Sequence, residues 1–177
     1  LPAKPFLITF DDAFESALTR GLPVLKKHGF RAALFMVSSG FGRSAFWDGE
    51  AANSPNRLLK PDELKELRDE GWTIGSHGVS HKSFKHLDAA ALAEETARSK
   101  AELENALGSE VSWFAYPYGD YTPAAKTALA GAGYKLGFAT EKGDGDIFAV
   151  PRRIISGKSG LINFALRLWQ AGKRSVL

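Results

Sequence analysis

Apolar and polar positions along this chain fall into short blocks whose period alternates between that of a strand and that of a helix. Phe6 to Phe10 is a short apolar run of strand formers that ends at two aspartates. From about Phe14 to Lys27, Leu18, Leu22 and Leu25 share one helical face, and Gly29 supplies a stop. Arg31 to Val37 is continuously apolar, the pattern of a strand buried on both faces of a parallel sheet. Ser38 to Leu59 is the longest irregular stretch, with glycines, a proline and Trp47 among polar residues, and loops of this length are usually functional or mobile. Pro61 after Lys60, followed by Asp62 and Glu63, opens a helix that carries Leu64 and Leu67 and stops at Gly71.

The second half repeats the alternation. Trp72 to Gly75 predicts a brief strand, Ser76 to His86 a polar loop, and Asp88 the cap of a long helix with Leu92, Leu103 and Leu107 inward and Gly108 at its end. Val111 to Ala115 predicts a strand, Tyr116 to Tyr121 an aromatic turn, about Pro123 to Ala130 a helix, and Tyr134 to Thr140 another strand. Glu141 to Asp146 is a charged turn, and Ile147 to Ile155 reads as a strand carrying Pro151, Arg152 and Arg153. A last helix places Leu161, Phe164, Ala165, Leu168 and Trp169 at spacings that predict one buried face. Such alternation argues an α/β fold with a mostly parallel sheet or barrel. No internal repeat or second domain is visible, so residues 1–177 are expected to form one domain.

Composition narrows the chemistry more than the fold. With 177 residues, 44% of them hydrophobic and 24% charged, the chain has the makings of a globular domain with a real core. It has no cysteine, which excludes disulfides and thiolate metal sites and leaves histidine and carboxylate as metal ligands. The net charge of +3 is spread among acids along the predicted helices, so a solvated surface is expected and a nucleic-acid partner is not. No run reaches the ~18 apolar residues of a membrane span. Leu1 to Pro5 does not read as a signal peptide, and with no initiating Met, targeting information could have been removed.

Three predicted strand ends are chemically loaded, and in barrels the C-terminal strand ends are where active sites collect. The first is Thr9-Phe10-Asp11-Asp12, where adjacent carboxylates repel unless a cation or hydrogen bond compensates, although either acid could simply cap the next helix. The second is Gly75 to His81, whose His77 and His81 are four residues apart and can face one ion if the loop makes a helical turn. Two unrelated surface histidines would be the plain alternative. An aspartate of the first pair would complete two histidines and a carboxylate with a position left open for water. The third is Phe114 to Gly119, either an aromatic-capped turn or a wall for a sugar ring.

Taken in order, these stretches resemble the polysaccharide deacetylase family, also called NodB-homology or carbohydrate esterase family 4. The TFDD motif is Thr9 to Asp12, the H-S/T-x-x-H motif is His77 to His81 with Gly78 where serine or threonine is usual, and the PYG element is Pro117 to Gly119. PVLKKHGFRAALFMV, ELRDEGWTIGSH and ALAGAGYKLGFAT are similar to the family's scaffold, so the likeness covers roughly residues 6 to 155. It implies a distorted (β/α) barrel with about seven strands. It also implies a metal-dependent hydrolase that removes N-acetyl groups from a GlcNAc-containing polysaccharide or oligosaccharide. Asp12, His77 and His81 would bind a divalent metal, Zn²⁺ first, with Co²⁺ or Ni²⁺ as alternatives. Asp11 would be the general base, and the Tyr118 backbone N–H would share the oxyanion. Tyr116, Pro117 and Tyr118 would contact substrate, and Tyr121 and Trp47 could add stacking surfaces.

Two departures from the family pattern matter. Ala115 stands where the family often has the arginine that pairs with the base, so Arg152 or Arg153 is expected to supply that cation, and Arg153 is counted with the catalytic residues. No histidine follows His86, so protonated Asp11, or less simply His86, would protonate the leaving amine, while His28 is assigned no chemistry. The competing readings are a hydrolase of another acetyl ester or amide and a carbohydrate-binding pseudoenzyme. Retention of both aspartates argues against the last. The family's substrates imply an extracellular, periplasmic or cell-envelope location, and oligomeric state is left open.

Overall fold

Five short strands lie side by side in chain order, every neighbouring pair parallel. In this computed structural model, residues 6–47, 57–155, 160, 162 and 164–167 are described. The strands are β1 (Ile8–Phe10), β2 (Ala32–Met36), β3 (Thr73–Ser76), β4 (Trp113–Ala115) and β5 (Leu136–Phe138). Each crossover carries a helical segment, as parallel neighbours require. These are α1 (Leu22–Lys27), α2 (Pro61–Asp69), α3 (Ala89–Ala93) with α4 (Ser99–Leu107), and α5 (Pro123–Gly131).

The strand period of two explains the layering. Ala32, Leu34 and Met36 turn to the face covered by helices, where Leu64, Leu67, Leu92, Leu103 and Leu129 complete the main core. Ala33 and Phe35 turn to the other face and form a second buried cluster with Ala115 and Phe138. β2 is buried along its whole length, as its continuous apolar run predicts. The predicted capping chemistry is present: the Asp88 carboxylate accepts the Ala91 N–H, Thr122 caps α5, and Gly108 closes α4 in a left-handed conformation. The Glu63 carboxylate accepts the Lys60 N–H at the start of α2.

The expected parallel α/β architecture is present, and among the described residues the sheet is a five-stranded half-barrel that shows neither seven strands nor closure. Other expectations are corrected. Residues 147–155 do not form a strand. They pair with β5 through one parallel bridge, Phe138 to Val150, beyond which the Arg152 N–H donates to the Thr140 carbonyl. Both long predicted helices contain a π-helical turn, Ala17–Gly21 before α1 and Glu94–Arg98 between α3 and α4. Of the closing helix, Leu161, Leu168 and Trp169 lie outside the described residues. Phe164 and Ala165, expected to be buried, are exposed, and Arg167 ties this segment down instead by donating to the Ile154 carbonyl. No helix among the described residues is long and apolar enough to cross a membrane.

Candidate metal centre

Asp12, His77 and His81 come together where β1 and β3 end, on either side of β2. One ligand atom from each lies within 4.8 Å of the other two. The Asp12 carboxylate oxygen Oδ1 is 3.2 Å from His81 Nε2 and 3.6 Å from His77 Nε2. A tetrahedral ion with bonds of ~2.1 Å sets its donors ~3.4 Å apart, so this spacing fits a zinc-like ion. Asp12 Oδ1 is buried and accepts no hydrogen bond among the described residues, a costly condition that a cation would relieve. A donor set of two imidazoles and a carboxylate suits the same class of ion.

The sequence builds this cluster from turns of unusual hand. Asp12 and Ala13 both have positive φ, 69° and 61°, so the chain reverses sharply after β1. That turn is fastened by Leu59 N–H donating to the Ala13 carbonyl and Glu15 N–H donating to the Arg57 carbonyl. His77 follows β3 directly and is almost fully buried, its N–H on the Met36 carbonyl and its Nδ1–H on the Ala115 carbonyl at 2.6 Å. The second bond leaves Nε2 as the lone-pair nitrogen facing Asp12. Burial holds the His77 pKa below its ordinary value, against the raising pull of Asp11 and Asp12, so the ring is a neutral donor near pH 7. His81 has φ 57° and is packed between the Trp47 ring, stacked at 4.4 Å, and the Tyr118 ring, edge-on at 4.7 Å. Its loop is tied to the end of β2 by Ser38 N–H and Ser39 N–H, which donate to the Gly78 and Val79 carbonyls.

Asp11 lies near enough to both histidines to feel their charge, and its carboxylate meets an arginine. Arg152 Nη1 and Nη2 donate to its two carboxylate oxygens at 2.6 and 2.8 Å, a bidentate pair. The same guanidinium donates to Thr9 Oγ1 and to the Ala139 carbonyl and lies over the Phe35 and Phe138 rings. Arg153 instead comes within 3.3 Å of Glu141, which corrects its placement beside the base. Burial would raise the Asp11 pKa, but the charge of His77 and then the hydrogen bond and charge of Arg152 outweigh it and leave the pKa lowered. His77 lends that charge only when protonated. Near neutrality Arg152 is therefore the standing cation that keeps Asp11 ionised.

The aromatic turn splits into two roles. Tyr116 is fully buried against Phe84, Phe114 and Tyr121, and Pro117 is buried as well, so neither is placed to touch a ligand as predicted. The reason is parity: Tyr116 continues the inward side of the extended chain as β4 ends, into the main core. Tyr118, with φ 60°, is the member of the turn that stays 54% exposed, beside His81. Trp47 is half-buried beside His81. His86 and His28 are exposed, and neither belongs to the cluster.

One residue of this neighbourhood escaped the sequence reading. Glu95 is buried and accepts hydrogen bonds from the loop between the two histidines. Its signal was faint: Glu95, Thr96 and Ser99 are polar positions on the stripe set by Leu92 and Leu103, where a polar side chain must find a buried partner.

A parallel α/β half-barrel with a histidine–aspartate cluster at the C-terminal ends of its strands is the class that fold and site define. The chain belongs to the polysaccharide deacetylase family, whose sequence model matches residues 1–137. A Bacillus subtilis protein named "Putative polysaccharide deacetylase YxkH" is 30% identical over 162 residues, covering 89% of this chain and 54% of that protein. The poly-beta-1,6-N-acetyl-D-glucosamine N-deacetylase of Staphylococcus aureus is 25% identical over 168 residues, covering 88% of this chain and 56% of its own. The chain thus spans about half the length of the curated relatives it matches. Among solved structures, the Streptococcus pyogenes deacetylase PplD in complex with acetate superposes with a TM-score of 0.78 at 25% identity, over 95% of this chain and 72% of that one. IcaB from Ammonifex degensii gives 0.77 at 29%, over 95% and 74%.

Proposed function

We propose that the chain carries a metal-dependent N-deacetylase that acts on a GlcNAc-containing polysaccharide or oligosaccharide and releases acetate. The observation that carries this reading is the division of labour between adjacent carboxylates: Asp12 faces His77 and His81, while Asp11 is held by Arg152. Two aspartates in different surroundings can serve as ligand and as base. The relatives named for N-deacetylation of poly-N-acetylglucosamine support the substrate class.

Asp12, His77 and His81 would hold the ion. A divalent ion there, zinc in the first instance, supplies Lewis acidity towards the acetamide oxygen and lowers the pKa of water towards ~7. Asp11, kept ionised by Arg152, takes the proton from the attacking water. The water oxygen bonds to the acetyl carbon, and the negative charge that develops on the acetamide oxygen is met by the Tyr118 backbone N–H, a contact worth ~2.7–4 kcal/mol in comparable oxyanion sites. The C–N bond then breaks, and protonated Asp11 returns its proton to the leaving nitrogen, giving acetate and a free amine. The exposed Tyr118 ring and Trp47 border the cluster and would bound the space for the acetylated sugar.

Acetate release from N-acetylglucosamine oligomers tests this, using protein stripped by chelator and then given Zn²⁺ or Co²⁺, with Asp11→Asn alongside. Release that requires the ion and vanishes in Asp11→Asn, while ion binding persists, is the expected result. Binding of the ion without acetate from any oligomer would turn the reading towards another acyl substrate.

A further inference from the structure

Glu95 brings a carboxylate into the interior, where the residue is 5% exposed. It lies in the π-helical turn Glu94–Arg98, a widened geometry that natural helices keep mostly at functional places. The one basic residue of that turn, Arg98, is engaged by Glu94 and Glu102. What Glu95 accepts instead comes from the histidine loop. The Val79 N–H donates to Oε2 at 2.7 Å, the Ser80 N–H donates to the same oxygen at 3.1 Å, and the Ser80 hydroxyl donates to Oε1. Val79 and Ser80 are the two residues immediately before His81, so this carboxylate fixes the backbone from which that ligand projects.

The two histidines are held differently, and this makes the loop decisive for one of them. His77 is oriented through its own ring, by the Ala115 carbonyl. His81 Nδ1 is buried without a hydrogen-bond partner among the described residues, and its ring is held there by packing and by the backbone beneath it. That backbone has φ 57°, a conformation that persists only where the surroundings enforce it. Gly78 leaves room for the enforcing group, since a Cβ there would stand 2.9 Å from Glu95 Oε2. The absence of a side chain at Gly78 and the buried carboxylate at Glu95 fit each other.

We propose that Glu95 is a positioning residue of the metal centre, whose buried carboxylate clamps Val79 and Ser80 so that His81 is presented beside Asp12 and His77. The inference rests on the metal-binding reading above. It predicts that Glu95 acts on metal affinity beyond any effect on stability. The test is Zn²⁺ affinity by competition with a chromogenic chelator, and the d–d spectrum of the Co²⁺ form, measured on the whole chain. Thermal melts of the stripped proteins accompany both. Glu95→Ala is expected to weaken Zn²⁺ binding by about 10–100-fold and to alter the Co²⁺ spectrum, as loss of a group that orients a ligand does elsewhere. Glu95→Gln, whose amide oxygen can still accept from the Val79 and Ser80 N–H groups, should recover most of the affinity. Thr96→Val removes a hydroxyl hydrogen bond within the same π turn, to the Leu92 carbonyl, and should lower the melting temperature with metal affinity unchanged.

Glu95→Ala that binds Zn²⁺ within about threefold of the wild type, a small fraction of the loss expected for an orienting group, would overturn the inference. So would equal losses of affinity in Glu95→Ala and Thr96→Val. If Glu95→Ala does not fold, Ser80→Ala decides in its place, because it withdraws one donor from the same carboxylate, and wild-type affinity there would overturn the clamp. A wild type that takes up no Zn²⁺ would overturn the metal reading itself, an outcome distinct from wild-type binding that ignores Glu95.

Discussion

Replacing Arg152 by methionine keeps most of its aliphatic bulk and removes the guanidinium, with every donor and its place over Phe35 and Phe138. The lost bonds are the bidentate pair to Asp11, the bond to Thr9 Oγ1 and the bond to the Ala139 carbonyl. Breaking a fully buried ion pair by deleting one partner costs ~3–5 kcal/mol. Here the Arg152 side chain is 13% exposed and that of Asp11 34%, so water can resolvate part of the stranded carboxylate. The expected loss is then about 2–3 kcal/mol, or a fall in Tm of about 4–12 °C for a chain of this size. Arg152→Lys, which keeps the charge but not the fork, should lose roughly half as much.

The pH dependence separates this account from a loss of packing. In the wild type the Asp11 pKa is lowered from 3.8: burial raises it, and His77 and Arg152 more than cancel that. Its contribution to stability is therefore complete above the unfolded value and is lost as pH falls through the lower folded value. Without Arg152, burial opposes ionisation with one cation fewer against it, so the folded pKa rises from its wild-type position and less stabilisation by Asp11 remains near neutrality to be lost on acidification. The gap between wild type and Arg152→Met should narrow on acidification. Urea unfolding followed by circular dichroism, with chelator present at pH 7 and near pH 4, measures it. A neutral-pH loss below about 1 kcal/mol, or a gap that stays constant with pH, would refute the claim that Arg152 holds Asp11 ionised.

Tyr116→Phe should leave stability unchanged or raise it by up to ~1 kcal/mol, because the hydroxyl it removes is buried without a hydrogen-bond partner among the described residues. It should also leave the KM for glycan unchanged, and a raised KM in steady-state acetate release would place this ring in contact with substrate after all. Gly137→Ala should lose about 2–3 kcal/mol in urea unfolding, because the new Cβ would stand 2.5 Å from the Phe148 carbonyl oxygen and 2.9 Å from Leu129 Cδ2. Gly131→Ala, in α5 with nothing within 4 Å of the added carbon, should instead gain up to ~0.5–1 kcal/mol, and a loss there would contradict the open space assigned to it.

The parts legible in the sequence were those whose information is local. Apolar runs gave β1 to β5 their places, and the polar residues that end them fell at the C-terminal strand ends because a parallel sheet has only one such side. That is how the aspartate pair could be set beside His77 and His81 before any fold was known, while the choice of Asp12 within the pair came from the family resemblance. The choice between Arg152 and Arg153 was different in kind. Neighbours on an extended segment point to opposite sides, so the choice is one of parity, and parity is fixed by a ladder. Here the ladder is a single bridge, Phe138 to Val150, and the partner, Asp11, lies 141 residues away in sequence. Tyr116 was misplaced for a related reason: an aromatic beside a candidate site can belong to the core or to the wall, and only the burial of its neighbours Phe84 and Phe114 settles which.

All the non-glycine residues with positive φ among those described, Asp12, Ala13, His81 and Tyr118, lie in the three polar turns that form the site. Such residues cost ~1–3 kcal/mol each and are kept only where the surroundings enforce them. After β1, the left-handed turn does something an extended chain could not. It gives two adjacent, mutually repelling carboxylates different partners, Asp11 to Arg152 and Asp12 to the histidines. Each turn is enforced by a contact from a remote segment: Leu59 on the Ala13 carbonyl, Glu95 on the backbone before His81, and His81 itself against the Tyr118 ring. The strain thus sits with the groups whose direction matters, and at the first two turns hydrogen bonds made by residues outside the motifs sustain it. A change at Glu95, or a proline at position 59 that removes the N–H, can therefore alter the geometry of this centre without touching Asp12, His77 or His81.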